Sequence, residues 1–147
     1  MIIVVAVIAM LATMLLGIAT YIDTQSKEKA TKATFALLEG ALDEYKDVTG
    51  QFPIQPQLND ANAPAHSEFL YGALDSIPAS RNILQKISDK LIQNKNPLAV
   101  PPIYAIYDPW GTVLDYRYDE PNDTYPLLRS AGPDKNFGTT ADNISNR

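Results

Sequence analysis

Apolar and polar positions divide the chain into a long helical first third and a remainder built of short patterned pieces. From Met1 to Ile22 no residue is charged, and Ile, Val, Leu, Met and Ala make up most of the stretch. Charges begin at Asp23, yet helical spacing of apolar residues continues through Ala30, Ala33, Leu37, Leu38, Ala41, Leu42, Tyr45 and Val48. That continuity predicts one helix over 1–49, about 74 Å long at about 1.5 Å per residue. Residues 1–22 are long enough for the ~30 Å core of a bilayer and predict a membrane-spanning helix. Within them Ala6, Ala9, Ala12, Gly17 and Ala19 are small enough to let helices approach closely. Residues 23–49 predict an amphipathic continuation with one apolar face. Gly50 offers a left-handed cap and Pro53 prevents resumption, so the helix is expected to stop at Thr49.

The pattern then shortens. Residues 51–66 are punctuated by Pro53, Pro56 and Pro64 and read as a loop. Ser67 is expected to cap a helix over Glu68 to Asp75, with Phe69, Leu70 and Leu74 inward. Pro78 is expected to break it, and Ser80 to cap a second helix reaching about Asn94. That helix would carry Ile83, Leu84, Ile87, Leu91 and Ile92 on one stripe, completing a helical insert over 54–96. From Pro97 the character becomes β. Strands are expected around Ile103–Tyr107, Val113–Tyr118 and Tyr125–Leu128, separated by turns at Asp108-Pro109-Trp110-Gly111 and Pro121-Asn122-Asp123. The expected architecture is α+β: a long N-terminal helix packed on a three-stranded antiparallel meander over 102–130. The last 18 residues (SAGPDKNFGTTADNISNR) show no strand or helix pattern. The chain thus divides into a membrane helix, 1–22, and a head, 23–147.

Composition narrows the function. A net charge of −5 and a pI near 4.7 argue against nucleic acid, which needs clustered Lys and Arg. With no cysteine there is no disulfide, thiolate nucleophile or Cys-based zinc site. The single histidine, His66, lies in a Pro- and Asn-rich stretch and is expected to be solvated; alone it excludes two-His zinc motifs. Asp108, Asp115, Asp119, Glu120 and Asp123 fall at turns and on polar sides of strands, where solvation explains them better than paired-carboxylate glycoside chemistry. No nucleophile, base and oxyanion arrangement emerges, so an enzyme is not expected. Trp110 and Tyr104, Tyr107, Tyr116, Tyr118 and Tyr125 suit a sheet–helix interface better than a carbohydrate platform.

One loop carries candidate chemistry. Ser130, Asp134, Asn136, Thr139, Thr140, Asp142 and Asn143 supply hard oxygen donors, and Gly132 and Gly138 allow sharp turns. It is not an EF-hand: Gly138 comes one place early, and Ser145 stands where Glu is needed. Composition alone favours a plain solvated loop.

These features in order resemble the type IV pilin superfamily, and within it the major pseudopilins of type II secretion. IIVVAVIAMLATM is similar to the apolar continuation of the pilin N-terminal signature. LLEGALDEYKDVTGQFP is similar to the family's helix end, and DPWG with LRSAGPDKNFGTTADNI to its turn and calcium loop. The insert over 54–96 matches nothing distinctive. The resemblance implies a filament subunit that is stored in the bacterial inner membrane as a single-pass protein. Its head would lie in the periplasm, and it would polymerise to help export folded proteins. It implies as partners further copies of itself, other pseudopilins, an inner-membrane assembly platform driven by a cytoplasmic ATPase, and an outer-membrane secretin. A prepilin peptidase would process the precursor. It also implies Ca2+ in the loop over 130–144, held by Asp134 and Asp142 with Leu128 and Ser130 as carbonyl or hydroxyl donors. Asn143 stands where a second acidic residue often occurs. The family's basic leader, Gly–Phe cleavage point and early glutamate do not appear, so Met1 is expected to correspond to the residue after that glutamate. The only lysines near the apolar stretch, Lys27, Lys29 and Lys32, follow it, and alone they would keep the head cytoplasmic. A missing basic leader would remove that conflict. The alternatives are a type IV pilus or competence pilin, or a membrane-tethered glycan-binding protein.

Overall fold

In the computed structural model the apolar stripe is carried by a single helix, α1, Ile2–Thr49, 48 residues long. The structure describes residues 2–57, 59–95, 98–120 and 122–147, with side chains from residue 21 onward. The helix stops where expected. Gly50 takes φ +86° and its N–H bonds to Lys46 O at 2.7 Å, the left-handed closure that glycine adopts without strain. Between residues 21 and 30 no side chain is buried, and Tyr21 and Ile22 are more than 60% exposed. From Thr31 onward one face is covered, with Phe35, Leu38, Ala41 and Leu42 in the core. The buried Thr31 and Thr34 hydroxyls bond back to Lys27 O and Ala30 O, so neither is left unsatisfied. Among the described residues no helix is long and apolar enough to cross a membrane. The membrane-helix expectation rests on side chains that lie, up to residue 20, outside those described.

The insert departs from its expected boundaries. A short 3-10 turn, Asp60–Asn62, capped by the Asn59 side chain on Ala61 N (3.0 Å), leads into α2, Ala63–Ser76. Pro64 occupies the first turn of α2, where its missing N–H is harmless, so the helix starts earlier than a Ser67 cap would set it. Ser67 is instead buried inside α2, accepting from Ile106 N (2.9 Å) and donating to Ile106 O (3.2 Å). With that start the buried stripe is Ala63, His66, Ser67, Leu70 and Leu74, which leaves Phe69 off the stripe and 41% exposed rather than inward.

Pro78 likewise opens a helix, α3, Pro78–Leu84, rather than only ending one. Ser80 is no cap; buried, it donates to Ala41 O at 2.8 Å and fastens α3 to α1. The expected continuation to Asn94 fails at Leu84. Ser88 and Asp89 favour turns over helix interiors, and the chain proceeds by three-residue turns such as Leu91 N to Ser88 O at 2.8 Å. Ile92–Gln93 then forms β1, antiparallel to β2, Ala105–Ile106.

The main sheet has three strands in the order β3–β4–β5: Asp115–Arg117, Leu127–Ser130 and Ile144–Ser145, all antiparallel. Tyr116 lies opposite Leu128, and Ser130 opposite Ile144. The α+β class and the helix laid on a small antiparallel sheet are as expected, but the sheet's membership is corrected. Within the stretch at 103–107, Ala105–Ile106 pairs with β1, while its expected pairing with the next strand is reduced to the antiparallel Tyr107–Val113 bridge and the Leu114 N–H bond to Ile106 O at 2.8 Å. The third strand of the main sheet comes from the C-terminal tail, where two residues are too few to show an alternation. The Asp108–Gly111 turn forms as expected. Gly111 takes φ +85°, and Asp108 Oδ1 accepts from Trp110 N (3.0 Å) and Thr112 N (2.8 Å). Leu38, Leu42, Leu70, Leu74, Leu84, Ile106, Tyr116 and Leu128 close one core between α1, the insert and the sheet. The Tyr116 hydroxyl finds its partner there in Pro53 O at 2.7 Å.

Candidate functional site

The C-terminal loop leaves β4 at Ser130 and returns at Ile144. Gly132 closes it with φ +71°; a Cβ there would stand 2.2 Å from Asp142 O, so no larger residue fits without moving the return strand. This tight crossing brings Asp134 and Asp142 together: Asp134 N donates to Asp142 Oδ2 at 3.1 Å. Asp134 itself accepts from Asn136 N (2.8 Å) and from the Thr139 hydroxyl. Those hydrogen bonds, Thr139 foremost, hold the Asp134 carboxyl below the usual carboxylate range. Asn136 Oδ1 in turn accepts from Gly138 N at 2.9 Å. Asn143 donates from Nδ2 to Phe137 O (3.0 Å), while its Oδ1 is enclosed and has no hydrogen-bond partner among the described residues.

Of the five residues expected to hold a cation, Asp134 and Asp142 therefore meet. Asp134, Asp142 and Asn143 belong to one loop, and the orphaned Asn143 oxygen is a donor atom without a function in the loop's own hydrogen bonding. Ser130 and Leu128 are otherwise engaged. Ser130 Oγ turns to the core side, donating to Asp108 Oδ2 (2.6 Å) and accepting from Gly132 N (3.1 Å). Leu128 pairs with Asn146, its N–H on Asn146 Oδ1 (2.9 Å) and its carbonyl accepting from Asn146 N (3.3 Å). A carbonyl retains a second lone pair, so Leu128 can still contribute through oxygen. Among the described residues no three His, Cys, Asp or Glu side chains gather as a metal group. A cation in this loop would draw on two carboxylates plus amide and backbone oxygens, a mixture that suits calcium and not zinc.

A second cluster was not expected at all. His66 is fully buried on α2 rather than solvated, its Nδ1 2.7 Å from Asp115 Oδ1. Asp115 is equally buried on β3 rather than on a polar strand side. Its Oδ2 meets Arg117 Nε and an Arg129 terminal nitrogen, each at 2.8 Å, and both guanidinium groups also reach Asp60 Oδ1. Burial works to raise the Asp60 pKa, but Arg129 and Arg117 outweigh it and hold that carboxyl below the usual range. The network thus fastens the 3-10 turn, α2, β3 and β4 to one another. Its fit is imperfect, since the Nε–H groups of both arginines and His66 Nε2 make no hydrogen bond among the described residues. Asp108 is the other buried acid, and there burial wins: despite bonds from Ser130, Thr112 and Trp110, its pKa is raised. Spacing alone gave one usable hint of this cluster. Asp115 and Arg117 sit two apart in a strand and so share a face, although Tyr116 lay between them as the more conspicuous residue.

No protein family, no curated protein and no solved structure matches the chain.

Proposed function

We propose that the chain is a filament subunit of the type IV pilin kind, a pseudopilin of a type II secretion system. One observation carries the reading. A single helix joins a 22-residue uncharged stretch to a segment whose apolar face is part of the core of a small head, and Tyr21 and Ile22, at the end of that stretch, are exposed. A helix so divided has two faces in series. Phe35, Leu38 and Leu42 serve the subunit's own fold, and the apolar stretch before them is available to lipid or to neighbouring helices. In this reading Met1–Ile22 holds the subunit in the inner membrane, and assembly exchanges its lipid contacts for other copies' helices. The head then stacks in the periplasm and supplies lateral contacts. The assembly platform, the secretin and the prepilin peptidase are the partners that go with this function.

Calcium would add two positive charges beside Asp134 and Asp142 and so order the loop that closes the sheet. The residues to hold it are Asp134, Asp142 and Asn143, with backbone oxygens.

Electron microscopy of membranes from bacteria overproducing the full-length protein tests the reading. Thin helical fibres that label with antibody to the head are expected. A protein that stays dispersed as single copies in the membrane would refute the filament and leave the tethered binder.

A further inference from the structure

α2, α3, the turn after α3, Ile92 of β1 and Tyr104, just before β2, line an open cleft of about 360 Å³ that the C-terminal loop does not touch. Tyr71 and Tyr104 form one wall, their ring centroids 5.4 Å apart, and Asp75 and Asp89 stand on its rim. Asp75 is engaged by Arg81 at 3.0 Å, but the Asp89 carboxylate, exposed, has no hydrogen bond or ion pair among the described residues. On the far side of the tyrosine pair a second hollow is bounded by Glu68 and by Pro101, Pro102 and Ile103. The uncharged loop leading to it exposes Leu98 and Val100 by about nine-tenths. Aromatic faces, a free carboxylate and an apolar rim together suit an ammonium group on an aliphatic stem, which gains from the ring faces and the charge at once.

The chain itself carries such a group on a matching surface. Most of its cations are occupied: Lys27 by Asp23, Lys46 by the Phe52 ring, Arg81 by Asp75, Lys95 by the Tyr107 ring, Arg117 and Arg129 by Asp115, and Arg147 by Asp123. Lys32 faces its own C-terminal loop beside Asp142, and Lys135 lies in that loop. Lys86 and Lys90 directly follow the lining residues Gln85 and Asp89 in the chain, and using them would set cleft against cleft and bring like carboxylates together. Lys29 is left, exposed on the part of α1 that the head does not cover. Ile22 lies seven residues earlier on the same strip of the helix and is 61% exposed.

We propose that the Tyr71–Tyr104 cleft receives Lys29 of a second copy of this chain, with Ile22 of that copy against the apolar rim at Ile103. The contact joins two different surfaces, so it is not a two-fold pairing, and with a rotation that does not close a ring it extends into the open array that a filament needs. It rests on the filament reading and names the surfaces through which heads meet helices.

The sequence has no cysteine, so an introduced thiol is the only one on each copy of it. The Lys29→Cys/Asp89→Cys double variant, in intact membranes, is treated with a short bismaleimide. A ladder of covalent multimers is expected, absent from either single variant. Lys29→Glu should lose assembly, measured as protein pelleting after detergent extraction, and adding Asp89→Lys should restore it. Fibres without a ladder, or normal assembly of Lys29→Glu, overturn the contact and leave the filament standing. A ladder without fibres keeps the contact and removes the filament; neither ladder nor fibres removes both. Dimers from Asp89→Cys alone, or its coupling only to some other membrane protein, assign the cleft another occupant and overturn the proposal.

Discussion

Asp115 offers the sharpest test of how the head is held together. Its side chain is fully buried, and three basic groups converge on its two oxygens: His66 at 2.7 Å, and Arg117 and Arg129 at 2.8 Å each. Asp115→Asn keeps the shape and removes the charge. Two guanidinium groups then share a single carboxylate, Asp60, whose side chain is 43% exposed and correspondingly screened. Removing one partner of a buried pair costs about 3–5 kcal/mol, because the other charge stays buried without compensation. The stability of a domain this size is about 5–15 kcal/mol. At about 3–4 °C per kcal/mol, the variant should melt roughly 10–20 °C below the parent.

The assay is thermal unfolding of the full chain in detergent, followed by circular dichroism and by the fluorescence of its one tryptophan, Trp110. The loss should persist at about 1 M salt, since buried pairs are screened far less than exposed ones. A second variant separates charge from packing. Replacing His66, Asp115, Arg117 and Arg129 together by apolar residues of similar volume should recover most of the loss. The orphaned Nε–H groups already make the ionic arrangement less than ideal, and exchanging such networks for apolar packing is often neutral. An Asp115→Asn protein melting within about 2 °C of the parent would refute the argument, because then the cluster has no more weight than a surface pair.

Three further outcomes follow from the loop and from the other buried acid. Gly132→Ala should destabilise the head by at least about 1–3 kcal/mol in urea unfolding, from the left-handed φ alone, and the clash with Asp142 O adds to that. Asp108 and Asp60 should oppose each other in pH titrations of stability. The Asp108 pKa is raised, so its contribution is complete below the unfolded value near 3.8 and is lost as pH rises through the folded value. Asp60 is depressed, so its contribution is present above that unfolded value and is lost as pH falls through the folded one. Asp108→Asn should therefore flatten the stability profile just above pH 3.8 and leave the acid-side loss in place, as read by urea midpoints across the range. Added Ca2+ should raise the melting temperature and a chelator reverse it; Asp142→Asn should abolish the shift, and no shift in the parent would count against a cation in the loop.

How much of this was legible in the sequence depended on the range over which each pattern acts. The end of α1 was legible because Gly50 and Pro53 act within one turn of it. The Asp108–Gly111 turn was legible for the same reason. The starts of α2 and α3 were misplaced because Ser67 and Ser80 have the chemistry of caps, while Pro64 and Pro78 stood at first-turn positions that serve equally well. Nothing local decides between them. Ile106 and Ala41, both 39 residues away along the chain, claim the two serine hydroxyls and make the decision. His66 and Asp115 were misread on the same ground. Each is polar in polar company, and only pairing across 49 residues makes burial affordable.

The same distinction explains why the candidate loop was half legible. Asp134, Asp142 and Gly132 act on one another within the loop, so their pattern survives in the sequence. Ser130 belongs to the loop by position and to the core by contact, because Asp108 on the turn before β3 holds its hydroxyl. Through that bond the loop is tied to the Asp108 turn, and through Phe137, stacked 5.1 Å from Arg129, to the buried charge network. A cation ordering Asp134 and Asp142 would therefore stiffen more than its own loop: Gly132 passes the restraint to Ser130, and Ser130 to Asp108. It follows that calcium, if it acts as proposed, should slow amide exchange at Trp110 and Thr112, whose N–H groups rest on Asp108. Protection confined to residues 134–143 would show that the loop is ordered alone and that the chain of bonds through Ser130 transmits nothing.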